Sequence, residues 1–469
     1  MVNLWRNFTF PEEKMATKAF SRPYSQVFID SPRYNSKNLY KKRRRAMLKA
    51  LDSFCVFAGI PADPGSEEAY VQTWNKFVQE PAFLYLTGIN QAGCYLLLDP
   101  ATDEEILFVP PKDPFREFWN GRRLGFLKGD SGVRKVTGIA DVRPESELWD
   151  EIAMRATRLP KGGHAYAYFF EKFRDDHNDR FRKSMLKALR GMDVVLRSAA
   201  PLHWKLRLPL EPERIVDAEA AQKVTDGAFR EVLSRFGELR TERDLSLMLD
   251  YEMQRHSDGD LAFPTICACG ENACCLHYVK NDEPLRAGEM VLLDFGVRIG
   301  SLHSDISRTL PVNGRFNPLQ KLLYRIVLDA AREYQKFVRP GVSLREIGNV
   351  PWDFIMQELE TRLVRGAKGS YKLLYDRRPH GVSHFIGEQI HEGDPGSRSL
   401  DVTLEPGMLI SCEPGLYGEF SGVFRGKRIF AKIGIRIEDD LLITKGGFRN
   451  ISENIPKEPD EIERLMPRR

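Results

Sequence analysis

The stretch Val291-Leu-Leu-Asp-Phe-Gly-Val-Arg-Ile-Gly-Ser-Leu-His-Ser-Asp-Ile-Ser-Arg-Thr-Leu310 sets two acids in an apolar background. Val291 to Leu293 is an apolar run that ends on Asp294. Gly296 and Gly300 mark a turn, and Asp305 then leads into Ile306. This spacing predicts two strands joined by a tight connection, with a carboxylate at the inner end of each. Ionised carboxylates there are costly unless something positive lies between them. Two acids on edge strands facing water would give the same local pattern, so the rest of the chain has to decide.

Four further stretches share the chemistry. They are His277-Tyr-Val-Lys-Asn-Asp282, His380-Gly-Val-Ser-His384-Phe-Ile-Gly-Glu-Gln-Ile-His391-Glu392, Leu409-Ile-Ser-Cys-Glu413-Pro-Gly-Leu-Tyr417 and Gly434-Ile-Arg436-Ile-Glu438-Asp-Asp440. In the last two an acid interrupts a strand-like run. Alternation sends Arg436 and Glu438 to one face and Ile435 and Ile437 to the other. Four carboxylates and one imidazole suit two divalent cations, because a carboxylate can bridge metals about 3.5–4 Å apart. Oxygen-rich ligation without thiolate favours Mn²⁺, with Co²⁺, Zn²⁺ and Fe²⁺ as rivals. Histidines outside the ligand set would bind substrate or stabilise a tetrahedral intermediate. Each stretch alone has a plain alternative: a histidine hydrogen-bonded in a Gly-rich loop, or Glu-Pro-Gly as a turn.

At 469 residues the chain exceeds one ordinary core, and two or three domains are expected. Pro11, Pro23 and Pro32 make residues 1–35 an irregular arm. In Tyr40-Lys-Lys-Arg-Arg-Arg the basic residues read as the solvated first turn of an amphipathic helix continuing through Ala46, Leu48, Leu51 and Phe54. A localisation signal or nucleic-acid patch is the competing reading. Strands are expected in Phe83 to Asp99 and Glu105 to Pro111, and alternating signals make 36–205 an α/β domain. The proline-rich segment 198–212 is the connection to a second domain, 206–469. There, helices are expected from Glu213 to about Phe236, after Thr241 with Asp244 completing a capping box, from Leu319 to Arg339, and from Leu344 to Leu363. The order helix, helix, strands occurs twice, which implies two related halves.

Hydrophobic content of 42%, charged content of 29% and a net charge of +4 fit a soluble globular protein and give no reason to expect nucleic acid or a membrane as partner. No apolar run approaches the roughly 18 residues of a membrane span, and the first residues lack a signal-peptide layout. Seven cysteines, four of them crowded at 267, 269, 274 and 275, read as reduced thiols of a cytoplasmic protein. Their spacing favours small buried strand residues over a zinc cluster.

Taken in this order, the five motifs over about 210–465 resemble the pita-bread metallopeptidases, and specifically the Xaa-Pro aminopeptidase and proline dipeptidase branch. Phe83-Leu-Tyr-Leu-Thr-Gly and Trp119-Asn-Gly-Arg-Arg-Leu-Gly are similar to signatures of that branch's N-terminal domain. The resemblance implies an α+β fold. A C-terminal pita-bread domain, with duplicated helix-helix-strand halves around a curved antiparallel sheet, follows an α/β domain. It implies two metals, most simply Mn²⁺, on Asp294, Asp305, His384, Glu413 and Glu438, with Glu413 also handling protons. His277 would contact substrate and His391 would hold the oxyanion, with His380 and Arg436 beside them. The implied reaction releases the N-terminal residue of Xaa-Pro peptides by attack of a hydroxide shared between the metals, in a homodimer or homotetramer. Proline dipeptidase is the nearest alternative. A creatinase-like metal-free hydrolase or a non-catalytic binding module would be expected to lack ligands, and none is missing. Phe385 and Cys412 depart from the family pattern, and the resemblance is weak over 1–35 and 364–378.

Overall fold

Strand alternation explains the first unit best. β1 (Cys55–Ala58), β2 (Tyr95–Asp99), β3 (Glu104–Val109), β4 (Asp141–Pro144), β5 (Gly163–Ala167) and β6 (Val194–Ser198) form one sheet in the order β4-β3-β2-β1-β5-β6. Cys55, Phe57, Leu96, Leu98, Leu107 and Val109 point to one face, where Met47, Leu48, Phe83 and Leu86 cover them. Val56, Ala58, Tyr95, Leu97, Ile106 and Phe108 point to the other, against Leu148, Ile152, Phe181 and Met185. Strands buried on both faces read as continuous apolar runs, as Cys55–Ala58, Tyr95–Leu98 and Ile106–Val109 do.

The structure, a computed structural model, describes residues 27, 36–61, 77, 79–129, 131–169, 176–257, 260–375, 377–393 and 398–468. Apart from Val27, the expected arm over 1–35 lies outside the described residues. The chain divides into two units, Met1–Leu206 and Arg207–Arg469. No helix among the described residues is long and apolar enough to cross a membrane.

Two expectations for the first unit are corrected. Phe83-Leu-Tyr-Leu-Thr is helical, within Pro81–Thr87. Its side chains favour strands, but its ends dictate a helix. Glu80 accepts from the Phe83 amide, Pro81 opens the first turn, and Gly88 closes the last at φ 70. The basic run is not a solvated first turn, because the helix begins earlier, at Ser36, and ends at Ala50. Its middle therefore faces inward. Arg43 and Arg44 are 3% and 0% exposed. Arg44 donates to Glu105 Oε2 at 2.9 Å, and the Arg43 guanidinium lies 3.8 Å from the Tyr85 ring centre.

The second unit repeats one order. Helices Pro212–Arg235 and Glu242–Arg255 precede β7 (Ile266–Cys269), β8 (Met290–Phe295), β9 (Arg298–Ile299), β10 (Leu302–His303) and β11 (Ile306–Pro311). Helices Pro318–Gln335 and Val350–Glu358 precede β12 (Ser370–Leu373), β13 (Leu409–Cys412), β14 (Gly415–Phe424), β15 (Lys427–Arg436), β16 (Asp439–Thr444) and β17 (Gly447–Asn450). Its sheets are antiparallel, with β8 between β7 and β11, β14 between β12 and β15, and β16 between β13 and β17. One core joins the halves, including Phe229, Val291, Phe295, Leu323, Ile410, Ile435 and Ile437. The architecture is α+β, a pita-bread-like domain built on antiparallel sheet after an α/β domain.

Three boundaries differ from expectation. The helix expected over 344–363 is broken into Leu344–Ile347 and Val350–Glu358, with Pro351 starting the second piece, and then widens into a π-helical turn over Leu359–Gly366. The helix expected to reach Arg339 ends at Gln335. The connection from β8 to β11 is not a bare turn, since the small β9–β10 hairpin fills it.

Candidate metal centre

Pairing of β8 with β11 sets Ser307 opposite Asp294 and Ile306 opposite Phe295, which brings Asp305 beside the end of β8. Glu413 follows β13, which pairs with β16, and Glu438 lies between β15 and β16. His384 arrives on the 380–393 loop. That loop is tied to β13 by the Ser411 amide, which donates to the His384 carbonyl at 2.9 Å, and by the His384 amide, which donates to Ser411 Oγ at 3.0 Å. Beneath it, Arg214 Nη2 donates to Glu388 Oε1 at 2.7 Å, His303 Nδ1 donates to the Gly387 carbonyl at 2.8 Å, and Arg207 pairs with Glu392.

All of His277, Asp294, Asp305, His380, His384, His391, Glu413, Arg436 and Glu438 line one cavity of about 280 Å³, together with Leu276, Gly381 and Ser383. Ligand atoms of Asp305, His384 and Glu438 lie within 4.8 Å of one another. Asp294 stands outside that tight trio, with Oδ2 bonded to Arg436 Nη2 at 2.5 Å. Glu413 Oε1 is 3.4 Å from His384 Nε2.

The donor set fits a divalent cation. His384 Nδ1 donates to the Phe385 carbonyl at 3.1 Å, which leaves the Nε2 lone pair facing the carboxylates. Asp294 Oδ1 and Glu438 Oε1 are buried and have no hydrogen-bond partner. Burial first, and the neighbouring Asp294, Asp440 and Glu413 second, push the Asp305 carboxyl well above the usual range. Burial, then Asp305, Glu413 and Asp294, do the same to Glu438. Burial also raises Glu413. Carboxylates crowded in this way resist ionisation unless a cation joins them.

Two of the imidazoles lining the cavity, His380 and His391, are neutral. Burial, then Arg436, pushes His380 down to about 4; its Nε2 meets the Tyr417 hydroxyl at 3.0 Å. Burial, then His384 and His277, pushes His391 down to about 4, and its ring meets that of His384 edge-on at 4.4 Å between centres.

Several neighbours were not singled out from the sequence. Ser307 Oγ donates to Glu438 Oε2 at 2.8 Å and accepts from Arg436 Nε at 2.8 Å. Thr309 Oγ1 accepts from the Arg436 amide at 3.2 Å. Asp440 Oδ2 accepts from the Asp305 amide at 3.1 Å. Strand alternation held the signal: Asp305, Ser307 and Thr309 fall on one face. The crowded cysteines are free thiols; Cys267, Cys269 and Cys274 are buried and Cys275 is exposed.

Residues 217–445 match the model of metallopeptidase family M24, and residues 40–161 match that of the aminopeptidase P N-terminal domain. The chain is 32% identical over 400 residues to the Xaa-Pro aminopeptidase 3 of Rattus norvegicus, covering 84% of this chain and 77% of the relative. It is 30% identical over 448 residues to the Xaa-Pro aminopeptidase of Escherichia coli strain K12, covering 92% and 98%. Among solved structures, proline aminopeptidase P II from Yersinia pestis superposes with a TM-score of 0.75 at 29% identity, covering 92% of this chain and 99% of that one.

Proposed function

The chain belongs to metallopeptidase family M24, in its Xaa-Pro aminopeptidase branch, and on that premise we propose how its residues release an N-terminal residue from in front of proline. The enzyme is a metal-dependent aminopeptidase acting on Xaa-Pro N-termini. The observation that carries this reading is the convergence of Asp305, His384 and Glu438 in a cavity also lined by the neutral imidazoles of His380 and His391.

We assign Asp294, Asp305, His384, Glu413 and Glu438 to two divalent cations, with Mn²⁺ the best match to four carboxylates and one imidazole, ahead of Co²⁺, Zn²⁺ and Fe²⁺. When bound, such a pair polarises the scissile carbonyl and lowers the pKa of water toward neutrality. Glu413 takes the proton of the attacking water and passes it to the departing proline nitrogen. That nitrogen, like the leaving nitrogen of any amide, departs as an amine only once it has received a proton. His391, being neutral, offers one N–H to the oxygen that gains charge on the scissile carbon. His277 holds the substrate beside the scissile bond. His380 and Arg436 keep the acidic side of the cavity in register, through Tyr417 and Asp294 respectively.

Purified protein supplied with Mn²⁺ is expected to release Arg from Arg-Pro-Pro. A chelator and Asp294→Ala each abolish that release, and activity persisting in the variant would overturn the ligand assignment. Faster turnover of the tripeptide than of Xaa-Pro dipeptides separates this reading from a proline dipeptidase. The free thiols support a reducing compartment, and the cytoplasm is our reading of it. A homodimer or homotetramer is part of the same proposal and is tested by mass in size-exclusion chromatography.

A further inference from the structure

His277 forms no hydrogen bond among the described residues, so its place in the cavity is set by the backbone on either side of it. That backbone, from the end of β7 at Cys269 to the start of β8 at Met290, contains one short 3-10 turn over Gly270–Cys274 and is otherwise irregular. Asn281 and Tyr375 each tie it at one end or one carbonyl, but one side chain gathers donors from both sides of His277. Glu242 is 0% exposed. Its Oε1 accepts from the Cys269 amide at 2.7 Å and from Asn272 Nδ2 at 2.9 Å. Its Oε2 accepts from the Tyr278 hydroxyl at 2.8 Å and from the Glu283 amide at 3.0 Å. The Glu242 amide in turn donates to the Glu283 carbonyl at 2.9 Å.

Three features mark this as more than helix capping. Thr241 and Asp244 already form a complete capping box at the start of Glu242–Arg255, so the helix does not require the Glu242 carboxylate. No cation pairs with that carboxylate among the described residues; four neutral donors and the helix N-terminus carry its charge. The donors lie at 269, 272, 278 and 283, and so bracket His277 on both sides. A carboxylate has about four acceptor sites, and all of them are used on this one loop.

We propose that Glu242 is a positioning residue for Xaa-Pro cleavage, fixing the 269–283 loop so that His277 stands over the acidic foot of the cavity. The inference rests on the role given to His277 above. Gln has the shape of Glu but replaces one acceptor oxygen by a donor, and so opposes two of the four bonds.

The test is a cycle of Glu242→Gln and His277→Ala on the metal-loaded full chain, with Arg-Pro-Pro as substrate. Glu242→Gln should lower kcat/KM about 10- to 100-fold while metal per chain stays at the wild-type level. In the His277→Ala background the same change should cost less than about twofold, because its target is gone. Losses that multiply, or a Glu242→Gln enzyme as active as wild type, overturn the proposal, as does a His277→Ala enzyme of full activity. If Glu242→Gln does not fold, Tyr278→Phe removes one donor alone and should give a fall of about 2- to 5-fold that again vanishes with His277→Ala. Failure of the wild type to cleave any Xaa-Pro peptide is the failure of the wider reading. Hydrogen exchange then still decides this one: the Cys269 and Glu283 amides should exchange about tenfold faster in Glu242→Gln while those of β8 are unchanged, and equal exchange overturns it.

Discussion

Arg436 Nη2 and Asp294 Oδ2 meet at 2.5 Å inside the second unit, so one oxygen of this acid is committed to a protein cation while Oδ1 faces the cavity without a partner. The guanidinium also reaches Ser307, which bonds Glu438. One arginine thus orients two acids that come from opposite halves of the unit. Burial opposes its charge, but Asp294 leads the neighbours that hold its pKa above the usual value. It stays a cation at every working pH.

Arg436→Met therefore leaves Asp294 free to rotate and removes the positive charge beside it. Metal affinity should fall about 10- to 100-fold, with a matching loss of activity at limiting metal. Calorimetric titration of the metal-free protein with Mn²⁺ checks this, and an unchanged dissociation constant would refute it.

His384→Ala removes the imidazole whose Nε2 faces Asp305 and Glu413, 3.4 Å from each. Elemental analysis should find less metal per chain, and peptide release should fall by more than about a hundredfold. Phe385→Leu keeps the carbonyl that accepts from His384 Nδ1. It should retain metal, which separates the proposed ligand from its support.

Arg308 is a structural counterpart to Arg436. Its side chain is fully buried, and it donates to the carbonyls of Pro456 and Ser307 and to Asp439 Oδ1 at 2.8 Å. Arg308→Met leaves the buried Asp439 with Lys457 and Asn450 alone and should cost about 1–3 kcal/mol in urea unfolding.

Acid should find the same cluster. Burial alone would raise the Asp439 carboxyl, but Arg308 and Lys457 bring it down to about 2. Since the unfolded chain ionises near 4, the pairing contributes fully above that pH and is lost as pH falls from about 4 toward 2. Lys457→Met weakens the depression, so acid unfolding of that variant, followed by circular dichroism, should begin at a higher pH.

Gly88 and Gly138 both end helices with positive φ, at 70 and 73. A Cβ on Gly88 would lie 2.3 Å from the Tyr40 ring, whereas one on Gly138 meets nothing within 4 Å. Gly138→Ala should cost only the backbone strain, about 1 kcal/mol. Gly88→Ala should cost about 1–3 kcal/mol more, because the ring must move. Equal melting temperatures for the two variants would contradict the packing.

The stretches that line the cavity were legible because an acid inside an apolar strand is anomalous on its own. Asp294, Glu413 and Glu438 each break such a run, and a reason for the break could be sought elsewhere in the chain. Ser307 and Thr309 gave no such alarm, since hydroxyl residues sit comfortably in strands. Glu242 was hidden by its neighbours, because Thr241 and Asp244 account for the local pattern and its partners lie on a distant loop. Pro81–Thr87 misled through its side chains, where the caps decided the outcome. The burial of Arg43 and Arg44 depended on where the helix begins, which is the least readable feature of a helix.

The two aspartates on β8 and before β11 are made well before His384, Glu413 and Glu438. During synthesis, a ribosome-bound chain that has formed only the β8–β11 pair holds two of the cavity's acids without the other groups of the proposed site. Arg308 and Ser307 on that pair likewise await Asp439 and Glu438. Metal loading is therefore an event of the finished chain. Any fragment that stops short of Glu438 should emerge without tightly held metal, however well its first half has folded.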